Sequence, residues 1–266
     1  LVNTEENSVS PNIPAKPFSK PEEKHISAAQ QPQKRVAVFV AGTDTGVGKS
    51  VVSASLLAAA RAAGRSTAAM KPIASGCEEI DGKLRNEDAL LLQQYCTLDL
   101  SYEQINPVAL RAAVAPHLAA QLEGRQLSLQ RLVGFTRAMF TQRADFTVVE
   151  GAGGWRVPLN QREFLSGLVQ VLQLPVVLVV GIRLGCINHA VLSAEAIAAD
   201  GLELVGWVAN HLSTDMPLAA ENIQTLKQLL PAPCLGELPW QPGSQPESFA
   251  ALLDINLLLC KPAITA

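Results

Sequence analysis

The chain has 266 residues, of which 48 % are apolar and only 17 % charged, and its formal net charge is −3. That length suits one large α/β domain or two small ones. The slightly acidic balance and an aromatic content of 5 % argue against a surface built to neutralise nucleic-acid phosphates or to stack bases.

Residues 1–33 are rich in Pro, Ser, Asn, Glu, Gln and Lys and carry no periodic apolar face. Such a stretch cannot bury enough surface to offset its ordering entropy. It also lacks the apolar run of a secretory signal, and no arginine precedes Arg35 to suggest a transit peptide. A disordered N-terminal extension over 1–33 is therefore expected ahead of a single domain over 34–266.

From Lys34 onward, short apolar runs alternate with helical patterns. The predicted strands are 36–40, 66–70, 146–149, 176–180 and 204–208, and the predicted helices are 51–63, 87–94, 127–141 and 189–199. Valine-dense runs without polar alternation suit strands covered on both faces. Strand–helix repetition then implies a doubly wound, mostly parallel α/β sheet with helices on both faces, of the P-loop NTPase type. In such sheets ligands sit at the carboxyl ends of the strands. The longest apolar run, 174–182, is interrupted by Pro175 and Gly181 and falls far short of the roughly 20 residues that span a bilayer. Five scattered cysteines (Cys77, Cys96, Cys186, Cys234 and Cys260) show no C-x-x-C spacing, so they are expected to be free thiols in a reducing, cytoplasmic setting.

The first strand leads into Gly42-Thr43-Asp44-Thr45-Gly46-Val47-Gly48-Lys49-Ser50, and a helical pattern starts at Val51. This is a phosphate-binding loop in its proper setting, although Thr43 stands where the common G-x-x-x-x-G-K-[ST] pattern has its first glycine. Glycines let backbone N–H groups converge on phosphate oxygens, and the helix N-terminus adds partial positive charge. Lys49 is expected to bridge the outer phosphates and Ser50 to offer its hydroxyl to magnesium. Lys71 ends the second strand, before Pro72 and Gly76. Asp88 lies in the first turn of the predicted helix at 87–94, and Glu150 closes the third strand ahead of Gly151. A carboxylate in the place of Glu150 supports magnesium in P-loop proteins.

The strings GTDTGVGKS, KPIASG, LRNEDAL, VVEGAGGW, LGCINHA, GWVAN and GELPW, in this order and spacing, resemble those of the dethiobiotin synthetase family from about Arg35 to Trp240. The resemblance implies an ATP-dependent cyclo-ligase of biotin biosynthesis. In that family a carbamate forms on a diamine, ATP phosphorylates it, and the second amine closes a cyclic urea. The catalytic residues it implies are Lys49 and Lys71, and the magnesium ligands are Ser50, Asp88 and Glu150. ATP contacts are implied for Thr45, Gly46, Val47, Gly48, Lys49, Ser50, Val51, Asp88, Glu150, Gly151, Ala152, Gly153, Asn210, Pro239, Trp240, Gln241 and Glu247. Substrate contacts fall on Thr45 and Ser75, and on the turn Gly185, Cys186, Ile187 and Asn188. That turn is implied to serve the neighbouring subunit of a homodimer with shared active sites.

Gly46 stands where relatives often carry a bulkier or acidic residue, and Ser50 replaces the commoner threonine. His117 and His211 are expected to be structural or exposed, and Cys186 with His189 is not expected to be a nucleophile–base pair. The main alternative is a regulatory ATPase switch of the partition or cell-division type, which usually has an extra lysine early in its loop. The stretch Gly42-Thr43-Asp44-Thr45 has none. An amide ligase drawing ammonia from glutamine would need a glutaminase domain, for which no length remains. Neither a nucleic-acid nor a membrane partner is expected.

Overall fold

Val36 to Gly42 reads Val-Ala-Val-Phe-Val-Ala-Gly, with no polar side chain to offer solvent, and all seven residues are buried in strand β1 (Val36–Gly42). In the computed structural model the described residues are 34–260. The extension predicted over 1–33 lies outside them, as do residues 261–266. From Lys34 the contacts form one compact unit.

After β1 come α1 (Lys49–Ala62), β2 (Thr67–Met70), a small hairpin of β3 (Glu78–Ile80) and β4 (Lys83–Arg85), α2 (Glu87–Gln94), α3 (Tyr102–Ile105), α4 (Pro116–Leu122) and α5 (Leu129–Phe140). Then follow β5 (Phe146–Glu150), α6 (Ser166–Leu172), β6 (Val176–Ile182), α7 (Cys186–Ala199), β7 (Leu204–His211), α8 (Ala219–Leu229), β8 (Cys234–Leu238), α9 (Pro246–Ala250) and α10 (Asn256–Leu259). Six strands form one sheet in the order β2-β5-β1-β6-β7-β8, and every pairing in it is parallel. Alternate residues of β1 feed two cores. Val36, Val38 and Val40 pack toward α1, α2 and α9, while Ala37, Phe39 and Ala41 pack toward α5, α6 and α7.

The order of the strands positions the chemistry. β2, β5 and β1 are neighbours, so Lys71, Glu150 and the phosphate loop leave the sheet at its carboxyl edge across two strand spacings, about 10 Å. Side chains of ordinary length close that gap.

All five predicted strands are present, with bounds that differ by up to three residues. β8 is not among them: its Cys-Leu-Gly-Glu-Leu sequence carries a glycine and a charge, and it pairs only with β7 at the sheet edge. α1 starts at Lys49, two residues before the predicted start, and α7 starts at Cys186, three before it. In both cases a glycine in the left-handed region, Gly48 or Gly185, is the N-cap, so the turn enters the helix without a polar cap to announce it.

Candidate active site

The loop after β1 is held by its own backbone and by two neighbouring strands. Thr43 N–H donates to Val179 of β6 (3.0 Å), and the Asp44 carboxylate accepts from Thr45 N–H (2.7 Å). Asn210, at the end of β7, donates its Nδ2 to the Val47 carbonyl (2.9 Å). Gly48 has φ 85°, and a Cβ there would lie 2.2 Å from that Asn210 nitrogen. Only glycine therefore lets the loop pass beneath Asn210 and turn into α1. The first turn of α1 aims N–H groups lacking intrahelical partners at the crevice, a ready anion site. Lys49 is nearly buried, and its Nζ folds back to donate to the Asp44 carbonyl (3.1 Å).

Facing the loop is a cluster of charges. Lys71 Nζ lies 2.6 Å from Glu150 Oε1 and 3.0 Å from Asp88 Oδ2. Ser50 Oγ donates to the same Glu150 Oε1 (2.8 Å). Glu150 is fully buried, and its other oxygen, Oε2, has no hydrogen-bond partner. Burial, aided by the Lys71 charge, pushes Lys49 down to about 8. For Lys71, burial opposes the charge, but the Glu150 and Asp88 carboxylates outweigh it and hold the ammonium above the usual lysine range. Burial would raise the Asp88 carboxyl, yet Lys71 and the Ser50 hydroxyl outweigh it and hold Asp88 below the usual carboxylate range.

The two sides enclose a cavity of about 390 Å³ lined by Thr45, Gly46, Gly48, Lys49, Ser50, Val51, Lys71, Ala74, Ser75, Glu87, Asp88, Ala152 and Gly153. It offers two lysines and a helix N-terminus to anions. To a hard cation it offers Asp88 and the Ser50 hydroxyl, with the buried Glu150 carboxylate in contact with Ser50 and Lys71 behind them, oxygens of the kind magnesium takes alongside phosphate. The orphaned Glu150 Oε2 has an unmet demand of that kind. Among the described residues no group of three or more His, Cys, Asp or Glu forms a metal cage. A larger cavity of about 770 Å³ lies elsewhere, between α4 and the loops at 124–127 and 159–162. It contains none of these groups, so the smaller cavity is the candidate site.

A family model described as an AAA domain matches residues 36–248. The chain is 58 % identical over 223 residues to the ATP-dependent dethiobiotin synthetase of Cellvibrio japonicus, covering 84 % of this chain and 97 % of that one. Its counterpart from Pseudomonas paraeruginosa is 58 % identical over 222 residues, with the same coverage. The protein of that name from Xanthomonas euvesicatoria is 50 % identical over 219 residues, 82 % of this chain and 97 % of that one. This chain belongs to the dethiobiotin synthetase family. The septum site-determining protein MinD of Pyrococcus horikoshii, solved with Mg-ADP, superposes with a TM-score of 0.50 at 17 % identity, covering 84 % of this chain and 95 % of that one. That likeness shows the P-loop α/β fold. With the family established, the regulatory-switch alternative is not favoured.

Several residues that the synthetase resemblance implied sit differently from the loop and its cluster. Val47 is buried and Gly151 packs against Phe39, so both shape the loops from beneath. Asn210 already spends its amide nitrogen on the loop. Pro239, Trp240 and Gln241 follow β8 directly beside Asn210, which pairs with Leu238, and all three are exposed. Glu247, the remaining implied ATP contact, lies in α9. Its carboxylate accepts from the Tyr95 hydroxyl and pairs with Arg61, in the last turn of α1, at 3.5 Å. Gly185, Ile187 and Asn188 lie at the N-terminus of α7, and Cys186 is 2 % exposed with its thiol in the core, unsuited to a nucleophile. None of the four lines the 390 Å³ cavity.

Sequence reasoning missed the residues that hold this synthetase site in shape. Asn86 caps α2, its Oδ1 accepting from Ala89 N–H, and its own N–H donates to the Tyr102 hydroxyl (2.7 Å). Tyr102 donates to Asn106 Oδ1 (3.1 Å), and Asn106 Nδ2 donates to the Lys71 carbonyl (2.7 Å). One chain of bonds thus ties the helix bearing Asp88 to the backbone of Lys71. Arg183 reaches from the β6–α7 turn to Asp44 (2.5 Å). Asp200 receives both Arg156 (2.6 and 2.9 Å) and Trp155 Nε1 (2.9 Å), fixing the loop after Glu150. The Asn before Glu87 and Asp88 was a legible helix cap; the other partners are joined only by the fold.

Proposed function

We propose that this chain makes dethiobiotin from 7,8-diaminononanoate, carbon dioxide and ATP, releasing ADP and phosphate. The observation that carries the reading, beside family membership, is the convergence of Lys49, Lys71, Ser50, Asp88 and Glu150 on one crevice. The loop amides and Lys49 bind the outer phosphates and stabilise charge as the terminal phosphoryl group leaves. Lys71 and Ser75 orient the substrate carbamate toward that group, so that two anions meet at attacking distance. The second amine then displaces phosphate from the phosphorylated carbamate and closes the ring. Ser50, Asp88 and Glu150 would hold magnesium, which supplies neutralisation of phosphate charge. Asn210, with Pro239, Trp240 and Gln241, borders the adenine.

We further propose a homodimer with shared sites. The N–H groups at the start of α7 would hold the substrate carboxylate for the neighbouring subunit. In support, Gly185 and Asn188 are exposed and do not line their own subunit's cavity, and Leu184 between Arg183 and Gly185 is 94 % exposed. The cytoplasmic setting rests on the free cysteines; no helix among the described residues is long and apolar enough to cross a membrane.

The test is direct. Purified protein is incubated with ATP, magnesium, bicarbonate and the diamine, and the product is weighed by mass spectrometry. The cyclic urea should form in step with ADP, and Lys49→Ala should lower the rate at least ~10²-fold. ATP hydrolysis without the urea would overturn the assignment.

A further inference from the structure

The amine of Lys71 lies where the proposed metal belongs. It sits 2.6 Å from Glu150 Oε1 and 3.0 Å from Asp88 Oδ2, the two carboxylates assigned above to magnesium. Glu150 Oε1 also accepts from Ser50, the third assigned ligand. An ammonium has three donors and no lone pair, so it cannot be a ligand, and it repels a divalent cation placed among the same oxygens. With Lys71 and Ser50 both on Oε1, Oε2 is left buried and unpartnered, which shows the lysine to be an incomplete match for this cage.

We propose that Lys71 is a built-in stand-in for the metal: it neutralises Asp88 and Glu150 until the metal–nucleotide complex arrives, which then displaces its amine into the crevice toward the carbamate. This rests on the assignment of Ser50, Asp88 and Glu150 as metal ligands. The lysine is built for such an exchange. Its backbone is clamped at both ends, N–H to the Ile105 carbonyl (2.8 Å) and carbonyl to Asn106 Nδ2 (2.7 Å), so only the four-carbon stem can move. The wall it would swing along carries Ser75 and Ala74 of the cavity. One cation then serves twice: it keeps two buried or half-buried carboxylates compensated before binding, and it meets the substrate's negative charge only after the nucleotide is in place. Metal should accordingly bind poorly without nucleotide.

The test titrates Mn²⁺ alone into the full-length protein and follows the free ion by electron paramagnetic resonance. Lys71→Met and Lys71→Gln remove the competing charge and should bind Mn²⁺ without nucleotide at least about tenfold more tightly than the unmodified protein. A gain below about twofold in both would overturn the exchange. A second measurement needs no mutation: the Nζ resonance of Lys71 should shift when magnesium and a non-hydrolysable ATP analogue are added together. An unmoved resonance also overturns the exchange. Glu150→Gln separates the two readings. If it abolishes Mn²⁺ binding in the presence of nucleotide while Lys71→Met gains nothing, the metal ligands stand and the exchange falls. If neither Glu150→Gln nor Asp88→Asn weakens that binding, the metal assignment itself falls.

Discussion

Replacing Gly48 with alanine tests how the loop is seated, and its cost can be worked from two separable parts. At φ 85° an alanine sits in the left-handed region, which costs about 1–2 kcal/mol. Its Cβ would also stand 2.2 Å from Asn210 Nδ2, driving that side chain off the Val47 carbonyl. Val47 is 1 % exposed, so the carbonyl loses its partner in a dry place, at a cost of about 1–3 kcal/mol. Gly48→Ala should therefore destabilise the protein by about 2–5 kcal/mol in urea unfolding. Two comparisons isolate the parts. Gly46 has φ 71° with nothing near a built Cβ, so Gly46→Ala should show the conformational part alone. Asn210→Ala removes the obstructing nitrogen, and in that background Gly48→Ala should cost only about 1–2 kcal/mol, a coupling of about 1–3 kcal/mol between the two sites. Equal costs in both backgrounds would refute the seating of the loop under Asn210.

Tyr102→Phe strands the Asn86 N–H and frees Asn106, and should cost about 1–3 kcal/mol in the same assay; a loss under about 0.5 kcal/mol would show that the chain of bonds to Lys71 is not made. Asp200→Ala releases Trp155 and Arg156 from the loop after Glu150. The Michaelis constant for ATP should rise more than turnover falls, with Asp200→Asn recovering part of the loss because it can still accept from Trp155; an unchanged constant in both variants counts against the clamp. Burial pushes the Cys96 thiol up to about 12, so its thiolate is absent at pH 8, whereas Cys260 is exposed. Iodoacetamide mapping of the native protein should find Cys260 modified first and the half-buried Cys96 much more slowly; labelling of Cys96 as fast as Cys260 would contradict its raised thiol.

What the sequence revealed depended on how local the physics was. Strands β1, β5, β6 and β7 are buried on both faces, and their apolar runs announced them. The phosphate loop was legible because its glycines, lysine and serine serve a single turn. β8 was not, because an edge strand tolerates Gly236 and Glu237 and loses its apolar signature. The hairpin of β3 and β4 turns at Asp81 and Gly82, both at positive φ, a two-residue turn of a recognised kind, but its strands are exposed and carry no periodic apolar face. Lys71, Asp88 and Glu150 could each be suspected from strand ends and a helix start. Their mutual distances could not, since residues 71 and 150 meet only because β2 and β5 are neighbours in the sheet. Asn106, Tyr102 and Asp200 act entirely through such meetings and left no mark on the chain.

That distinction bears on why so widespread a fold performs so particular a reaction. A loop of glycines ahead of a helix binds phosphate whatever the rest of the chain does, because the binding groups are backbone N–H groups and one lysine. Nothing in it selects an acceptor for the phosphoryl group. Selection must come from what the neighbouring strands deliver to the same edge, and here β2 delivers a second, buried cation beside the carboxylates of Asp88 and Glu150. A buried lysine left without those partners would lose its proton to desolvation, and the carboxylates left without the lysine would be uncompensated charges in a dry pocket. The three are stable only together, which explains why Asn86, Tyr102 and Asn106 are spent on fixing α2 against the backbone of Lys71. The phosphate loop is thus written in one short segment, while Lys71, Asp88 and Glu150 are delivered by β2, α2 and β5 and meet only when the sheet has assembled.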